Sequence, residues 1–239
     1  MKQVGMRAEA PAQETFYVRQ SGEQGLGCFA SRAIAEGELI VDELPLLRWT
    51  RTSQHATREE DLEGLHDAIE SLVPSARTAY FQLNQLSAEL ISEMSEPDEV
   101  EKMRAMGIWM ANAFQVGEPV TTRGARDSGA EVEQAVFERI SRFNHCCRPN
   151  ADHTWDNIRG RKSVRALRAI GIGEQIFVSY IGGASAVLHI PRAKRRERLQ
   201  RMLGFACTCS RCVRGDEADD AFWVRQAVAT VESPRQPLW

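Results

Sequence analysis

Three closely spaced cysteines near the end of the chain have the spacing of metal ligands. They form the cluster Cys207-x-Cys209-x-x-Cys212, and such short spacers let successive thiolates converge on one zinc ion at about 2.3 Å. A closed structural zinc site takes four ligands, so another must come from elsewhere. The remaining candidates are the histidines and three further cysteines, Cys28, Cys146 and Cys147. Spacing alone leaves the choice among them open.

The run Arg142–Asn150 is dense in polar residue types that chains seldom crowd together, among them Asn144 and His145. An isolated Asn-His pair is most often a turn or a hydrogen-bonded polar network. Tyr180 ends a strand-like run and can be an ordinary packing residue. The Gly-x-Gly segment at 25–27 can bring backbone N–H groups close to a ligand. Taken singly, each feature leaves a structural and a functional interpretation open.

The composition argues against several classes of function. The chain of 239 residues is 43% hydrophobic, which is enough for a substantial core, and its net charge is −3. The chain therefore lacks the overall positive charge that would favour direct nucleic-acid binding. No run approaches about 18 consecutive apolar residues, and the polar start lacks the apolar segment of a secretory signal. We expect an intracellular protein, outside the membrane, whose six cysteines are ligands or thiols rather than a disulfide framework.

Two β regions separated by helices must position these residues. Short β-type runs with turn glycines extend from Phe16 to Trp49. Apolar residues then recur at helical spacing from Arg58 to Phe114, where Pro74 and Pro97 are expected to begin helices. The pattern thus predicts a helical insert within a β protein.

A second β region follows the helices. The pattern predicts a polar loop from Gly117 to Gly129 and a short helix from Val132 to Phe143. Strand-like runs resume at Asp152–Trp155, Ser163–Leu167 and Gln175–Tyr180. A strongly basic helix then begins at Pro191 and ends at Gly204. A charge run on a helix is usually a solvated face.

The order of these segments closely resembles that of a SET-domain protein lysine methyltransferase. The early Gly-x-Gly, the run Asn144–Asn150, the strand Gly173–Tyr180 and the cluster Phe205–Cys212 occur in the family's order. The resemblance is greatest to the group in which a long insert splits the SET domain, as in SMYD proteins and many fungal SET proteins. It implies an α+β, mainly β SET fold of small curved sheets with a pseudoknot, a helical insert and a zinc-binding post-SET tail.

The resemblance also implies domain boundaries. They are a mobile tail at 1–15, an N-terminal SET segment at 16–49, a helical insert at 50–135, a C-terminal SET segment at 136–184 and a post-SET zinc-binding region at 185–239. The insert contains no cysteine, so no MYND-type zinc finger is expected in it. We expect the insert itself to select the substrate.

Site residues are carried over position by position. In the family, the cysteine of the Asn-His motif joins the post-SET cysteines on one structural zinc, which here matches Cys147 with the final cluster, while Cys146 stands at the usual serine position. S-adenosylmethionine is bound by positions that match eight residues, Leu26, Gly27, Asn112, Ser141, Asn144, His145, Tyr180 and Phe205. Tyr180 matches the catalytic tyrosine. The implied partner is a protein substrate with a target lysine, histone or non-histone, for a monomeric enzyme of the nucleus or cytoplasm.

Two positions depart from the family pattern. Gln24 replaces a basic residue that many relatives carry before the Gly-x-Gly, and Leu203 replaces a tyrosine that some carry before the adenine-stacking phenylalanine. These departures permit a noncatalytic SET-fold, zinc-stapled protein-binding module as the alternative function. A cysteine hydrolase that uses Cys146 or Cys147 with His145 or His153 is disfavoured, because adjacent residues rarely form such a dyad and nucleophile and base normally come from separate segments.

Overall fold

The structure is a computed structural model that describes residues 14–22, 25–50, 57–86, 97–117 and 133–214. Most of the tail predicted at 1–15, Gln24, nearly all of the loop predicted at Gly117–Gly129 and the chain after residue 214 lie outside the described residues.

The described chain contains ten short strands and six α-helices, in the order four strands, three helices, six strands and three helices. The strands are β1 (Phe16–Gln20), β2 (Leu26–Ala30), β3 (Leu39–Glu43), β4 (Leu47–Thr50), β5 (Phe114–Gln115), β6 (Glu133–Val136), β7 (Asn144–His145), β8 (Ala151–Asp156), β9 (Arg161–Ala166) and β10 (Gln175–Val178). The helices are α1 (Arg58–Glu70), α2 (Pro74–Phe81), α3 (Pro97–Asn112), α4 (Ala184–Leu188), α5 (Arg192–Leu203) and α6 (Ser210–Val213), with a 3₁₀ turn at Ile140–Arg142.

Three small sheets form the β part of the described chain. Their strand orders are β1-β2-β10-β7, β3-β9-β8 and β4-β6-β5. In the first sheet β10 is central, because it pairs antiparallel with β2 and parallel with β7. Phe177 lies opposite Asn144, and Val178 lies opposite His145. This pairing brings the Asn-His run, distant in sequence, to the sheet that carries the Gly-x-Gly segment.

The helices of the insert share a hydrophobic core with strands β4 and β6. Helix α1 begins with a capping box, in which Thr57 accepts from the Glu60 N–H while the Glu60 carboxylate accepts from the Thr57 N–H. The insert is joined to the third sheet by edge-to-face contact of Trp49 with Trp109, whose ring centroids are 5.4 Å apart. As predicted, Pro74 and Pro97 begin helices.

The basic helix α5 has a narrow buried face. Only Arg195 and Leu199 of its residues are buried, so most of its cationic side chains face solvent, as the charge run indicates. The helix ends at Gly204, which adopts a left-handed conformation with φ of 72°. Such a terminus suits glycine, which has no Cβ to clash.

Two sequence predictions about local structure are wrong. The described part of Val132–Phe143 is not a helix, but strand β6 followed by the 3₁₀ turn. Strand β10 ends at Val178, so Tyr180 lies in the loop beyond it rather than in the strand.

Candidate active site and metal centre

Four thiols converge where the tail meets the Asn-His run. The Sγ atoms of Cys147, Cys207, Cys209 and Cys212 all lie within 4.8 Å of one another. Cys147 Sγ is 3.5 Å from Cys212 Sγ and 3.9 Å from Cys207 Sγ. A tetrahedral zinc ion with bonds of about 2.3 Å requires sulfur separations of about 3.8 Å. The donor set and its spacing therefore suit zinc.

The other two cysteines are placed differently. Cys28 is fully buried in β2, within the largest hydrophobic core of the described chain, to which the first and second sheets contribute most, and burial raises the pKa of its thiol. Cys146 is partly exposed, and its sulfur accepts the backbone N–H of Arg148 at 3.4 Å. The Cys146 thiol also contacts that of Cys209, but among the described candidates only the Cys147 sulfur lies within 4.8 Å of all three tail sulfurs.

His145 links the thiol cluster to Tyr180. Its Nδ1 accepts the backbone N–H of Tyr180 at 3.0 Å, and its Nε2 lies 3.2 Å from Cys147 Sγ. Because burial lowers the pKa of His145 to about 4, the ring is neutral at pH 7 and carries one proton. An Nδ1 that accepts must lack it, so Nε2–H donates to the sulfur. Such a donor would orient the Cys147 sulfur toward a bound metal ion.

Tyr180 is held at both its backbone and its hydroxyl. The hydroxyl donates to the backbone carbonyl of Phe143 at 2.8 Å. Burial raises the pKa of the phenol above its ordinary value, so it stays protonated at neutral pH. Its ring lies 5.4 Å from that of His145, which in turn lies 6.3 Å from the ring of Phe205. The three rings form an aromatic group beside the thiols.

The Gly-x-Gly segment contacts Asn144 directly. The Asn144 side-chain amide donates to the Leu26 carbonyl at 3.1 Å. A Cβ added to Gly27 would lie 2.8 Å from Asn144 Nδ2 and 2.6 Å from Gln175 Nε2. Because such distances are shorter than ordinary contacts, only glycine lets the two amides approach the backbone this closely. Leu26, Gly27 and Asn144 are therefore neighbours in a single site.

The buried polar atoms that lack a hydrogen-bond partner within the described part of the protein include Gln175 Nε2 and Ser141 Oγ, and also Asp42 Oδ1 in β3. Buried polar groups are nearly always paired, so these atoms are available to a ligand. Of these atoms, Gln175 Nε2 lies at the close approach to Gly27, where it is placed to donate to a polar ligand. The side chain of Asn112, also predicted to bind the cofactor, already has partners. Its amide donates within the insert to the carbonyls of Asn84 and Ile108, each at 2.7 Å.

Asn150 is a residue whose role sequence reasoning did not assign. Its side chain is buried and bonds to β10 at both ends, accepting from the Phe177 N–H at 2.7 Å and donating to the Gln175 carbonyl at 2.9 Å. It therefore fixes the Asn-His run along β10. An asparagine that closes a polar run was the available signal.

The comparisons with known proteins agree with this geometry. The profile of the SET domain matches residues 25–181 of the chain. The histone-lysine N-methyltransferase set5 of Schizosaccharomyces pombe is 27% identical over 199 residues, which cover 83% of this chain and 50% of that protein. The N-lysine methyltransferase SMYD2-B of Danio rerio is 40% identical over 78 residues, which cover 33% of this chain and 16% of that protein.

Fold and site together define a mainly β domain of small sheets with a helical insert and a cysteine-rich tail. The chain belongs to the SET-domain family, whose profile matches more than half of it. It spans half the length of the set5 relative and a smaller share of SMYD2-B. None of the described helices has both the length and the apolar composition needed to cross a membrane.

Proposed function

We propose that this protein transfers a methyl group from S-adenosylmethionine to the ε-amine of a lysine in a protein substrate. The observation that carries the proposal is the convergence of Tyr180, His145 and Phe205 beside the contact between Asn144 and Leu26. The polar contact between Asn144 and Leu26 thus lies beside the three aromatic rings, one of which is a protonated phenol. Relatives named as histone-lysine and N-lysine methyltransferases support the same reaction.

On this proposal, the residues of the site would bind the cofactor, enclose it and orient the reacting groups. When bound, S-adenosylmethionine supplies an electrophilic methyl group on its sulfonium. Asn144, Gln175 and Ser141 would bind the polar parts of the cofactor, while Phe205 and His145 enclose it. Tyr180 orients the reacting groups in line, which is worth several kcal/mol. Its raised pKa argues against a role as a base.

The substrate lysine must lose a proton before it attacks. From a solution pKa of about 10.4, deprotonation at pH 7 costs roughly 4 to 5 kcal/mol. A channel walled by aromatic side chains disfavours the charged ammonium and lowers that cost. We expect a histone or non-histone protein as substrate and the insert as the surface that selects it.

Substitution of Tyr180 by phenylalanine tests the proposal. The purified protein, loaded with zinc, is incubated with labelled S-adenosylmethionine and fractionated cell lysate, and mass spectrometry locates the methylated lysine. Tyr180→Phe is expected to lower turnover by about 100-fold, the typical effect of removing one positioned hydroxyl. Cofactor affinity, measured by calorimetry, should change little, because the phenol acts on the reacting groups.

Tyr17→Phe provides the matched control, since Tyr17 is 43% exposed in β1. It should turn over like the unmodified protein. Equal turnover of Tyr180→Phe and the unmodified protein would remove Tyr180 from the mechanism. Tight cofactor binding without methyl transfer to any fraction would instead favour the noncatalytic binding module.

A further inference from the structure

Arg211 lies inside the tail cluster, between the ligand candidates Cys209 and Cys212. Its side chain is 4% exposed, so a guanidinium is buried within the smallest of the hydrophobic clusters of the described chain. Burying a charge is costly unless it is hydrogen-bonded and electrostatically compensated. The position of Arg211 therefore needs a physical reason.

The guanidinium of Arg211 joins three segments of the chain. One nitrogen donates to the carbonyl of Cys147 at 3.2 Å and to that of Val187 at 3.1 Å, while the other donates to the carbonyl of Leu188 at 3.0 Å. Val187 and Leu188 are the last residues of α4, where helix carbonyls carry partial negative charge, and the Val187 carbonyl also accepts the Ile190 N–H at 3.3 Å. Arg211 thus spans the tail, the Asn-His run and α4.

The first two of these segments are the same ones that a zinc ion would join. Zinc held by four thiolates carries a net charge of about −2, since four negative charges oppose two positive ones. A permanently charged guanidinium beside such a centre gains electrostatic energy in a medium of low dielectric constant. The fork of Arg211 also fixes the backbone that carries Cys147 Sγ.

We propose that Arg211 is a positioning residue, which holds the Cys147 segment and α4 against the tail so that the four thiols are assembled for zinc and Phe205 is kept beside His145. Its link to cofactor binding rests on the proposed methyltransferase function, whereas its link to zinc does not. Outer-shell residues of this kind typically change metal affinity by about 10-fold to 100-fold.

Zinc release to an excess of a chromogenic chelator tests the proposal without substrate. Arg211→Met keeps the volume of the side chain but removes charge and donors, and it should accelerate release by about 10-fold or more. Arg211→Lys keeps the charge and loses the fork, so its release rate should fall between those of Arg211→Met and the unmodified protein. Arg214→Met, at an exposed arginine three residues further on, should release zinc like the unmodified protein.

A second measurement separates positioning from general destabilisation. With zinc in excess, the urea midpoint of the SET sheets should be the same in Arg211→Met and Arg214→Met, while S-adenosylhomocysteine binds more weakly to Arg211→Met alone. The proposal is overturned if Arg211→Met releases zinc at the unmodified rate, or if Arg214→Met accelerates release equally. If Arg211→Met does not fold, Arg211→Lys decides by the same criterion.

The two proposals fail separately. A protein that transfers no methyl group, yet shows the expected order of release rates, contradicts the methyltransferase function and supports the role of Arg211. Equal release rates in a protein that does transfer methyl groups contradict the role of Arg211 alone.

Discussion

Lys162 carries an amine into the interior of the protein. The side chain is 3% exposed, on the face of β9 that packs into the core. Its Nζ lies 4.7 Å from the ring centroid of Phe114 and 5.9 Å from that of Phe137. Burial lowers the pKa of Lys162 to about 8, although the negative charge of Asp152 acts in the opposite direction. Cation–π contact offsets only part of the desolvation cost.

This lowered pKa predicts a specific dependence of stability on pH. Between about 8 and 10.5, the unfolded chain retains the Lys162 proton and the folded chain has lost it, so the free energy of unfolding rises with pH. Below pH 8 both states are protonated, and the folded state bears a constant cost of about 3 kcal/mol. Lys162→Met removes this cost and should be more stable at pH 7, as measured by urea unfolding.

The pH series identifies the source of the difference. The advantage of Lys162→Met over the unmodified protein should shrink from pH 8 to pH 10. Lys194→Met, at a lysine whose side chain is 65% exposed, should follow the unmodified protein throughout. If the stability advantage of Lys162→Met stayed constant from pH 7 to pH 10, burial would not lower the pKa of the Lys162 amine.

At the scale of elements, strand β6 explains the main error of the sequence prediction. Ala135 and Phe137 face the core of the SET sheets, whereas Val136, between them, faces the core of the insert. A strand that buries both faces gives a continuous apolar run, which cannot be distinguished from a helix by periodicity. Its pairing with β4 and β5 depends on segments distant in sequence.

Local signals predicted other elements well. Prolines at the first positions of α2 and α3, and glycine at the end of α5, act through the backbone of their own neighbourhood. Prediction of the contact between Cys147 and the tail required the family resemblance, because spacing alone could not choose among the thiols. The buried charges of Lys162 and Arg211 left no signal, since their burial depends on tertiary packing.

Gly204 connects helix α5 to Phe205, and its backbone conformation predicts how substitutions there change stability. A Cβ at Gly204 would meet no atom within 4 Å, so the cost of Gly204→Ala is the left-handed backbone itself, with φ of 72°. We expect Gly204→Ala to lower the free energy of unfolding by about 1 kcal/mol. Gly204→Asn should lose less, because asparagine tolerates this conformation. Urea unfolding of the zinc-loaded protein measures both.

Gly64 provides the opposite control. It lies inside α1, and an added Cβ would be 3.6 Å from Trp49 Nε1, an ordinary contact. Gly64→Ala should therefore stabilise the protein by about 0.5 to 1 kcal/mol. If Gly204→Ala were as stable as the unmodified protein, the left-handed terminus would not determine how α5 meets the tail.

At the scale of the whole molecule, the described residues form three hydrophobic clusters of unequal size. The SET sheets and the insert each have a core of aliphatic and aromatic side chains. The third cluster has only six buried residues, three of them cysteines: Cys147, Ile181, Val187, Leu199, Cys207 and Cys212. So few apolar contacts offer little to offset the chain entropy of α4, α5 and the tail. The stability of this third cluster should therefore depend on metal.

Removal of zinc should separate the third cluster from the other two. In chelator, backbone amides of α5 and of the tail up to Val213 should exchange hydrogen faster by orders of magnitude, because metal binding free energy is folding free energy for such a site. Amides of β2 and β9, within the SET core, should keep their protection. Hydrogen exchange with mass spectrometry measures the two regions in one experiment, and addition of zinc should restore the original pattern.

Two variants test whether the four-thiol cluster causes this separation. Cys209→Ser should show the exchange pattern of the chelated protein even with zinc present, since one of the four converging thiols is lost. Cys146→Ser, which changes the adjacent thiol outside that set, should behave like the zinc-loaded protein. If chelation left the exchange of α5 unchanged, packing alone would hold the tail, and Phe205 would be positioned without metal. If β2 and β9 lost protection together with α5, the three clusters would form one cooperative unit.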